Sequence, residues 1–338
     1  MPNLRVLFAF FSQPCLALAL LFSLSVGAAP AGSPVALYGH LATKQGYLVS
    51  ETNVPLSLAG PSLFWSNSGW PGEAFYNAGV VETVAKDWNA SVIRAAMGAD
   101  SGGSYIKDPE ANKARVIAVV EAAIEQGIYV IIDWHSHRAE DIEAQAVAFF
   151  SEMATRFGDS PNVIYEIYNE PLNTTDWQDD VKPYANKVIS AIRKIDPDNV
   201  ILVGTPTWSQ DVDLAAKDPL IGYANIAYVL HFYAGTHKQP LRDKAQKAID
   251  AGLTLFVSEW GSVEATGDGD IDLEESLRWL VWIKQNHLSH VSWSITNKQE
   301  GSAMLLPHAP TNGKWKDEHL SPNGLFLREI FRAWQVTP

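Results

Sequence analysis

The chain has 338 residues, 47% of them hydrophobic and 19% charged, which excludes a disordered tail, a collagen repeat and a coiled coil. With 25 Lys and Arg against 38 Asp and Glu, the formal net charge is −13 and no basic run offers a phosphate footprint. Nucleic acid is therefore not an expected partner, uncharged substrates are favoured over polyanions, and the length suits one α/β barrel of ~250 residues.

In chain order, Arg5, the apolar stretch Leu16–Leu24 and the small residues Gly27, Ala28 and Ala29 have the pattern of a secretory signal cut after Ala28 or Ala29. Residues 1–29 are accordingly read as signal peptide and 30–338 as a single domain. Ser12, Gln13 and Pro14 interrupt a stretch already short of the ~20 apolar residues that span a bilayer, so no membrane association is expected after cleavage. Export to the periplasm or medium follows. Cys15 lies inside the leader and is the only cysteine, so the mature chain would have neither a disulfide nor a thiol nucleophile.

Next, Ala31–Pro34 reads as a linker and Gly39–Pro55 as a β-hairpin, with Gln45-Gly46 turning between Leu41 and Tyr47-Leu48-Val49. Eight short apolar runs then recur: Leu56–Gly60, Ser91–Ala96, Tyr129–Asp133, Val163–Tyr168, Val200–Gly204, Ile226–His231, Leu255–Ser258 and Val291–Ser294. Helical spacing occupies Ala78–Asp87, Asn112–Gln126, Ala144–Phe157, Val181–Lys194, a short Asp211–Ala216, Leu241–Ala251, Leu273–Gln285 and Phe326–Trp334. Runs such as Val130-Ile131-Ile132 are apolar on both faces, as parallel strands covered by helices must be. No Gly-rich phosphate loop follows any run, so the alternation predicts a closed (β/α)8 TIM barrel with a short N-terminal β-hairpin rather than an open nucleotide-binding sheet.

In such a barrel the chemistry gathers at the carboxyl ends of the strands. The third run ends in Asp133-Trp134-His135-Ser136-His137, the fourth in Tyr168-Asn169-Glu170-Pro171, the sixth in His231-Phe232-Tyr233 and the seventh in Ser258-Glu259-Trp260-Gly261. Glu170 and Glu259 thus face each other across one mouth, and a carboxylate pair is what glycosidic-bond cleavage requires. Glu166 shares the strand face of Glu170 but lies four residues deeper, inside the barrel and out of a substrate's reach.

These segments, with Val92-Ile93-Arg94-Ala95-Ala96-Met97 and His231-Phe232-Tyr233-Ala234-Gly235-Thr236-His237, resemble the signatures of the glycoside hydrolase family-five cellulases from about Val35 to Trp334. The resemblance implies a retaining endo-β-1,4-glucanase of the bacterial branch, acting on cellulose and soluble β-glucans as a monomer and with neither cofactor nor metal. It carries the acid/base over to Glu170 and the nucleophile to Glu259, at a separation of about 5–5.5 Å. Arg94 and Tyr233 are expected to bind Glu259, the guanidinium lowering its pKa by ~1–3 units. Asn169 is expected to hold the 2-hydroxyl of the cleaved sugar, His135 another hydroxyl, and His231 to sit beside Glu170. Trp293 resembles the family's floor for the cleaved sugar and Trp208 its platform on the leaving side. Trp65, Trp70 and Lys298-Gln299-Glu300 are candidates for more distant sugars, whereas Trp279 and Trp282, three apart on a helix, read as packing.

Many relatives carry a His-Gly pair after the first strand, where this sequence has Ser62-Leu63-Phe64-Trp65, so its outer subsites differ from theirs. No Ser/Thr-rich linker or second aromatic module follows Trp334, so soluble or amorphous substrate is expected. Two alternatives remain at this level. A β-mannanase or xyloglucanase would share the cleavage machinery. A metal-dependent barrel hydrolase would use Asp133, His135 and His137 as ligands, aided by His231 or His237.

Overall fold

The computed structural model describes residues 28–337. The signal-peptide reading, with Arg5, Cys15 and the Leu16–Leu24 stretch, lies outside them apart from its last two residues. Strands β1 (Ala42–Lys44) and β2 (Tyr47–Val49) form the antiparallel hairpin, turning through Gln45 and Gly46, both at positive φ as a tight two-residue turn requires. Strands β3 (Ala59–Leu63), β4 (Val92–Gly98), β5 (Tyr129–His135), β6 (Val163–Glu166), β7 (Ile201–Val203), β8 (Ile226–Tyr233), β9 (Leu255–Gly261) and β10 (His290–Ile295) close in that order into a parallel barrel, β10 pairing with β3. The predicted (β/α)8 architecture is the one observed.

Two expectations near the N-terminus need correction. The linker at Ala31–Pro34 leads into a short helix, Pro34–Tyr38, whose Ser33 cap accepts the Ala36 N–H at 3.4 Å. The first barrel strand begins three residues later than its apolar run suggests. Leu56 and Leu58 belong to the plug of the barrel floor, and the Leu56 N–H is donated to the hairpin at Leu48. Pro61 does not stop the strand, because next to it only Ser62 pairs with β4, at Arg94.

Period-two alternation sorts the core into layers. Val92, Tyr129, Ile131, Ile164, Val229 and Phe256 fill the lower barrel together with Val35, Leu41 and Leu48, so the hairpin and short helix cap the floor. Their strand neighbours, such as Ile93, Val130, Tyr165 and Leu230, pack outward against the helices. The same alternation carries Arg94, Asp133, His135, Glu166, His231 and Tyr233 inward and upward. β9 departs from it. Val229 pairs with Phe256 and His231 with Glu259, so two steps on β8 oppose three on β9. This bulge lets consecutive Ser258 and Glu259 both face the interior, while Trp260 turns out to stack on Phe232.

Candidate active site

Arg94 is fully buried and organises the floor of the mouth. Its Nε and Nη2 fork Glu166 at 2.8 and 3.2 Å, and its Nη1 donates to Glu259 Oε2 at 3.0 Å. Nη2 also meets Asp133 Oδ2 at 2.9 Å and donates to Asn169 Oδ1 at 2.6 Å. That contact orients the Asn169 amide, whose buried Nδ2 has no partner among the described residues and is left to donate elsewhere. One guanidinium faces three carboxylates, and Asp133 yields first: burial, joined by the charges of Glu166 and Glu259, pushes its carboxyl well above the usual range despite Arg94.

Glu259 accepts the Tyr233 hydroxyl at Oε1, 2.9 Å, and Arg94 at Oε2. Gly261 makes this reach possible, because a Cβ there would lie 2.3 Å from the Tyr233 ring. The sequence reading has Arg94 holding Glu259 below the ordinary carboxylate range; the structure reverses that direction. Burial and then the facing Glu170 charge raise Glu259, and the opposing His231, Arg94 and Tyr233 do not offset them. Arg94 is shared too widely to dominate.

Glu170 lies just past β6, bracketed by histidines. His231 Nδ1 is 3.0 Å from Oε1 and His137 Nε2 is 3.1 Å from Oε2. Burial alone would raise this carboxyl, but hydrogen bonds from both histidines hold it down at about 2. Burial alone would lower His231, yet its contacts with Glu166 and Glu170 carry it up to about 9. In the free site the proton of the Glu170–His231 pair therefore rests on the imidazole, and the two titrate as one unit. Through Ser258, which accepts from His231 Nε2 at 3.0 Å and donates to Glu166 at 2.7 Å, the pair is tied back to the Arg94 cluster. One oxygen of Glu170, one of Glu259 and one His231 nitrogen all lie within 4.8 Å of one another.

A cleft runs over these carboxylates in two lobes. One, of about 400 Å³, is lined by Trp65, Trp70, His135, Trp293, Lys298 and Glu300. The other, of about 500 Å³, is lined by Trp208, Gln210, His231, Tyr233 and His237. Trp293 stacks on His135 with ring centroids 5.3 Å apart and planes 10° off parallel, and Trp65 meets the same imidazole edge-on at 4.1 Å. Lys298 bonds Glu300 and lies over the Phe64 ring at 5.3 Å. Trp208, 38% exposed, sits on a turn in which Thr207, Trp208 and Ser209 all have positive φ. Of the site residues expected from the sequence, all but Gln299 line this cleft or join the hydrogen-bond network of its carboxylates, and Trp279 is buried packing against Phe232.

Several lining residues escape the sequence reading of the site, among them Phe64, Thr207, Gln210 and Thr266, which carry no pattern of their own. His137 and His237 are considered there only as metal ligands. The metal alternative loses its donor set: Asp133 is committed to Arg94 and His135, and His137 turns to Glu170. Among the described residues the donors that converge are Glu170, His231 and Glu259, already bonded to one another or to Arg94 and Tyr233.

The sequence matches the family model described as Cellulase (glycosyl hydrolase family 5) over residues 49–299. It is similar to Endoglucanase Z of Dickeya dadantii, 50% identical over 278 residues that cover 82% of this chain and 63% of that one. It is also similar to an endoglucanase of Clostridium saccharobutylicum, 43% identical over 305 residues, 88% of this chain and 66% of that one. The chain thus spans just under two thirds of the length of these curated relatives. Among solved structures, the catalytic domain of Thermobifida fusca endoglucanase Cel5A superposes with a TM-score of 0.84 at 29% identity, over 89% of this chain and 100% of that one. A variant of that domain has been solved in complex with cellotetraose.

Proposed function

The chain belongs to glycosyl hydrolase family 5, and from that premise we propose that it is a secreted, retaining endo-β-1,4-glucanase acting on cellulose and soluble β-glucans. The observation that carries this reading is the approach of Glu170 and Glu259 to within 4.8 Å across an open cleft. Carboxylate oxygens that approach this closely fit a direct displacement at the anomeric carbon better than the wider, water-holding gap of an inverting enzyme. The names of the relatives and the cellotetraose complex of the Thermobifida enzyme support the substrate class. The apolar leader supports export, and no helix of the described residues is long and apolar enough to cross a membrane.

In this mechanism a glucan chain lies along the cleft, its sugar faces on Trp293 and Trp208 and its outer hydroxyls toward Trp65, Lys298 and Glu300. Asn169 Nδ2 donates to the 2-hydroxyl, a contact that strengthens as the ring gains positive charge. Glu259, oriented by Tyr233 and Arg94, attacks the anomeric carbon as Glu170 protonates the departing oxygen with the proton shared with His231. Water then enters, Glu170 takes its proton, and the glycosyl–Glu259 ester is cleaved with the configuration retained. Binding of the leaving oxygen against Glu170 draws the proton from imidazole to carboxyl, so the low carboxyl pKa of the free site is compatible with acid catalysis.

The test is reducing-sugar release from carboxymethylcellulose, lichenan, xyloglucan and mannan side by side, with two variants on the preferred substrate. Glu259→Gln should lower kcat by at least ~10³-fold. Glu170→Ala should lose ~10²–10⁴-fold on glucan, yet regain turnover of an activated aryl cellobioside when azide replaces water as the second-step nucleophile. Preference for mannan or xyloglucan would overturn the substrate; absence of azide rescue would overturn the acid/base assignment.

A further inference from the structure

His137 stands on the Ser136-His137 turn just past β5, and that turn is clamped to the strand end that carries Glu170. The Glu170 N–H is donated to Ser136 O at 3.2 Å, and the Tyr168 hydroxyl to His137 O at 3.2 Å. The imidazole is thereby held with Nε2 at 3.1 Å from Glu170 Oε2 while 38% of its side chain faces the cleft. His231, on the other oxygen, is enclosed at 2% side-chain exposure and fixed through Ser258. Of the two histidines, His137 is the one with substantial exposure to the cleft.

We propose that His137 is a positioning residue for the acid: its Nε2–H binds the outward oxygen of Glu170, fixes the plane of the carboxyl against the leaving oxygen and sets how readily that carboxyl takes up a proton. This rests on the glucanase reading above. The surrounding charges favour donation by His137. On its own element, neutral His135 offers no competing positive charge, because burial holds it well below the ordinary range. Asp100 after β4 and Glu259 on β9 add negative charge that, with Glu170, raises His137 against the effect of burial. From β8, His231 serves the opposite oxygen, whereas His237 is lowered by burial and keeps Nδ1 for the Tyr233 N–H at 2.8 Å. Below, Arg94 takes up Glu166 and Asp133, so neither competes for His137.

A bond donated to the carboxylate stabilises its ionised form, so its loss lets Glu170 keep a proton to higher pH. The experiment compares the full chain with His137→Ala and His137→Gln, the latter retaining an N–H near Nε2. The substrates are a soluble β-1,4-glucan oligosaccharide and 2,4-dinitrophenyl β-cellobioside, whose leaving group needs no proton. For His137→Ala, kcat/KM on the oligosaccharide should fall ~10–100-fold and its basic limb should move up by about one pH unit, while kcat/KM on the dinitrophenyl glycoside stays within about twofold. His137→Gln should recover most of the oligosaccharide rate. Equal losses on both substrates, or a basic limb that does not move, would overturn the assignment while leaving the glucanase reading intact. A wild-type chain that cleaves neither substrate would overturn both.

Discussion

Tyr233 shows how one hydroxyl bears on a whole pH profile. It supplies one of the two hydrogen bonds that keep Glu259 ionised in a buried position where desolvation and Glu170 push its carboxyl upward. Removing that donor raises the carboxyl further, and under the proposed mechanism Glu259 attacks only when ionised, so the acid limb moves to higher pH. Tyr233→Phe should therefore shift the acid limb of kcat/KM upward by roughly one unit, with the basic limb unchanged. An unmoved acid limb would show that the Arg94 contact suffices alone. The identity of such residues is legible in the sequence, because Glu170, Glu259, Arg94 and Tyr233 stand at recognisable strand ends. The sign of their electrostatics is not, because it depends on how many carboxylates share one guanidinium and on which oxygen each histidine reaches.

Among the elements, the turn after β7 carries a run of residues in the left-handed region. Thr207, Trp208 and Ser209 are consecutive left-handed residues, a conformation that costs roughly 1–2 kcal/mol per residue for L-amino acids. Tertiary bonds offset it: Ser209 Oγ donates to Asn169 O at 2.7 Å, the Trp208 N–H to Pro171 O at 2.8 Å, and Thr207 Oγ1 to Asp211 at 2.7 Å. The turn that bears Trp208 is thus fastened to the strand end that bears Glu170. Ser209→Ala should cost about 1–3 kcal/mol in urea denaturation by leaving the buried Asn169 carbonyl unpaired, and should raise KM for glucan as Trp208 loosens. A variant with wild-type stability and KM would show that the turn holds itself. Neither this turn nor the β9 bulge has a sequence signal, for Thr-Trp-Ser has no glycine to announce positive φ and strict alternation would turn Glu259 outward.

Over the whole molecule, closure of the barrel buries groups that the helices and floor then trap. His290 opens β10 with Nδ1 accepting the Trp260 indole N–H at 3.1 Å, and Trp334 lies edge-on at 4.3 Å. Burial, helped by Lys284, lowers it to about 3. Since the unfolded chain protonates this imidazole near its ordinary value of 6.5 and the folded one does not, its contribution is present above pH 6.5 and is lost as pH falls toward 3. His290→Gln should flatten the stability–pH curve across that window by up to ~1.4 kcal/mol per pH unit, measured as urea unfolding free energy between pH 4 and 7. Parallel curves for the variant and the wild type would place the acid sensitivity in the carboxylates instead.

The sequence by itself determined the alternation of eight apolar runs with amphipathic helices, and with it the barrel, because period and length are local properties that packing only has to accept. It also determined that Glu170 reaches the mouth, since a strand end followed by Asn-Glu-Pro is a local event. Tertiary structure alone decided where β3 begins, because Leu56 and Leu58 answer to the hairpin beneath them. It decided that Glu259 faces inward, through a bulge set by pairing with both β8 and β10. It also decided that the free-site proton rests on His231 and that His137 meets Glu170, since these depend on distances between segments that only barrel closure brings together.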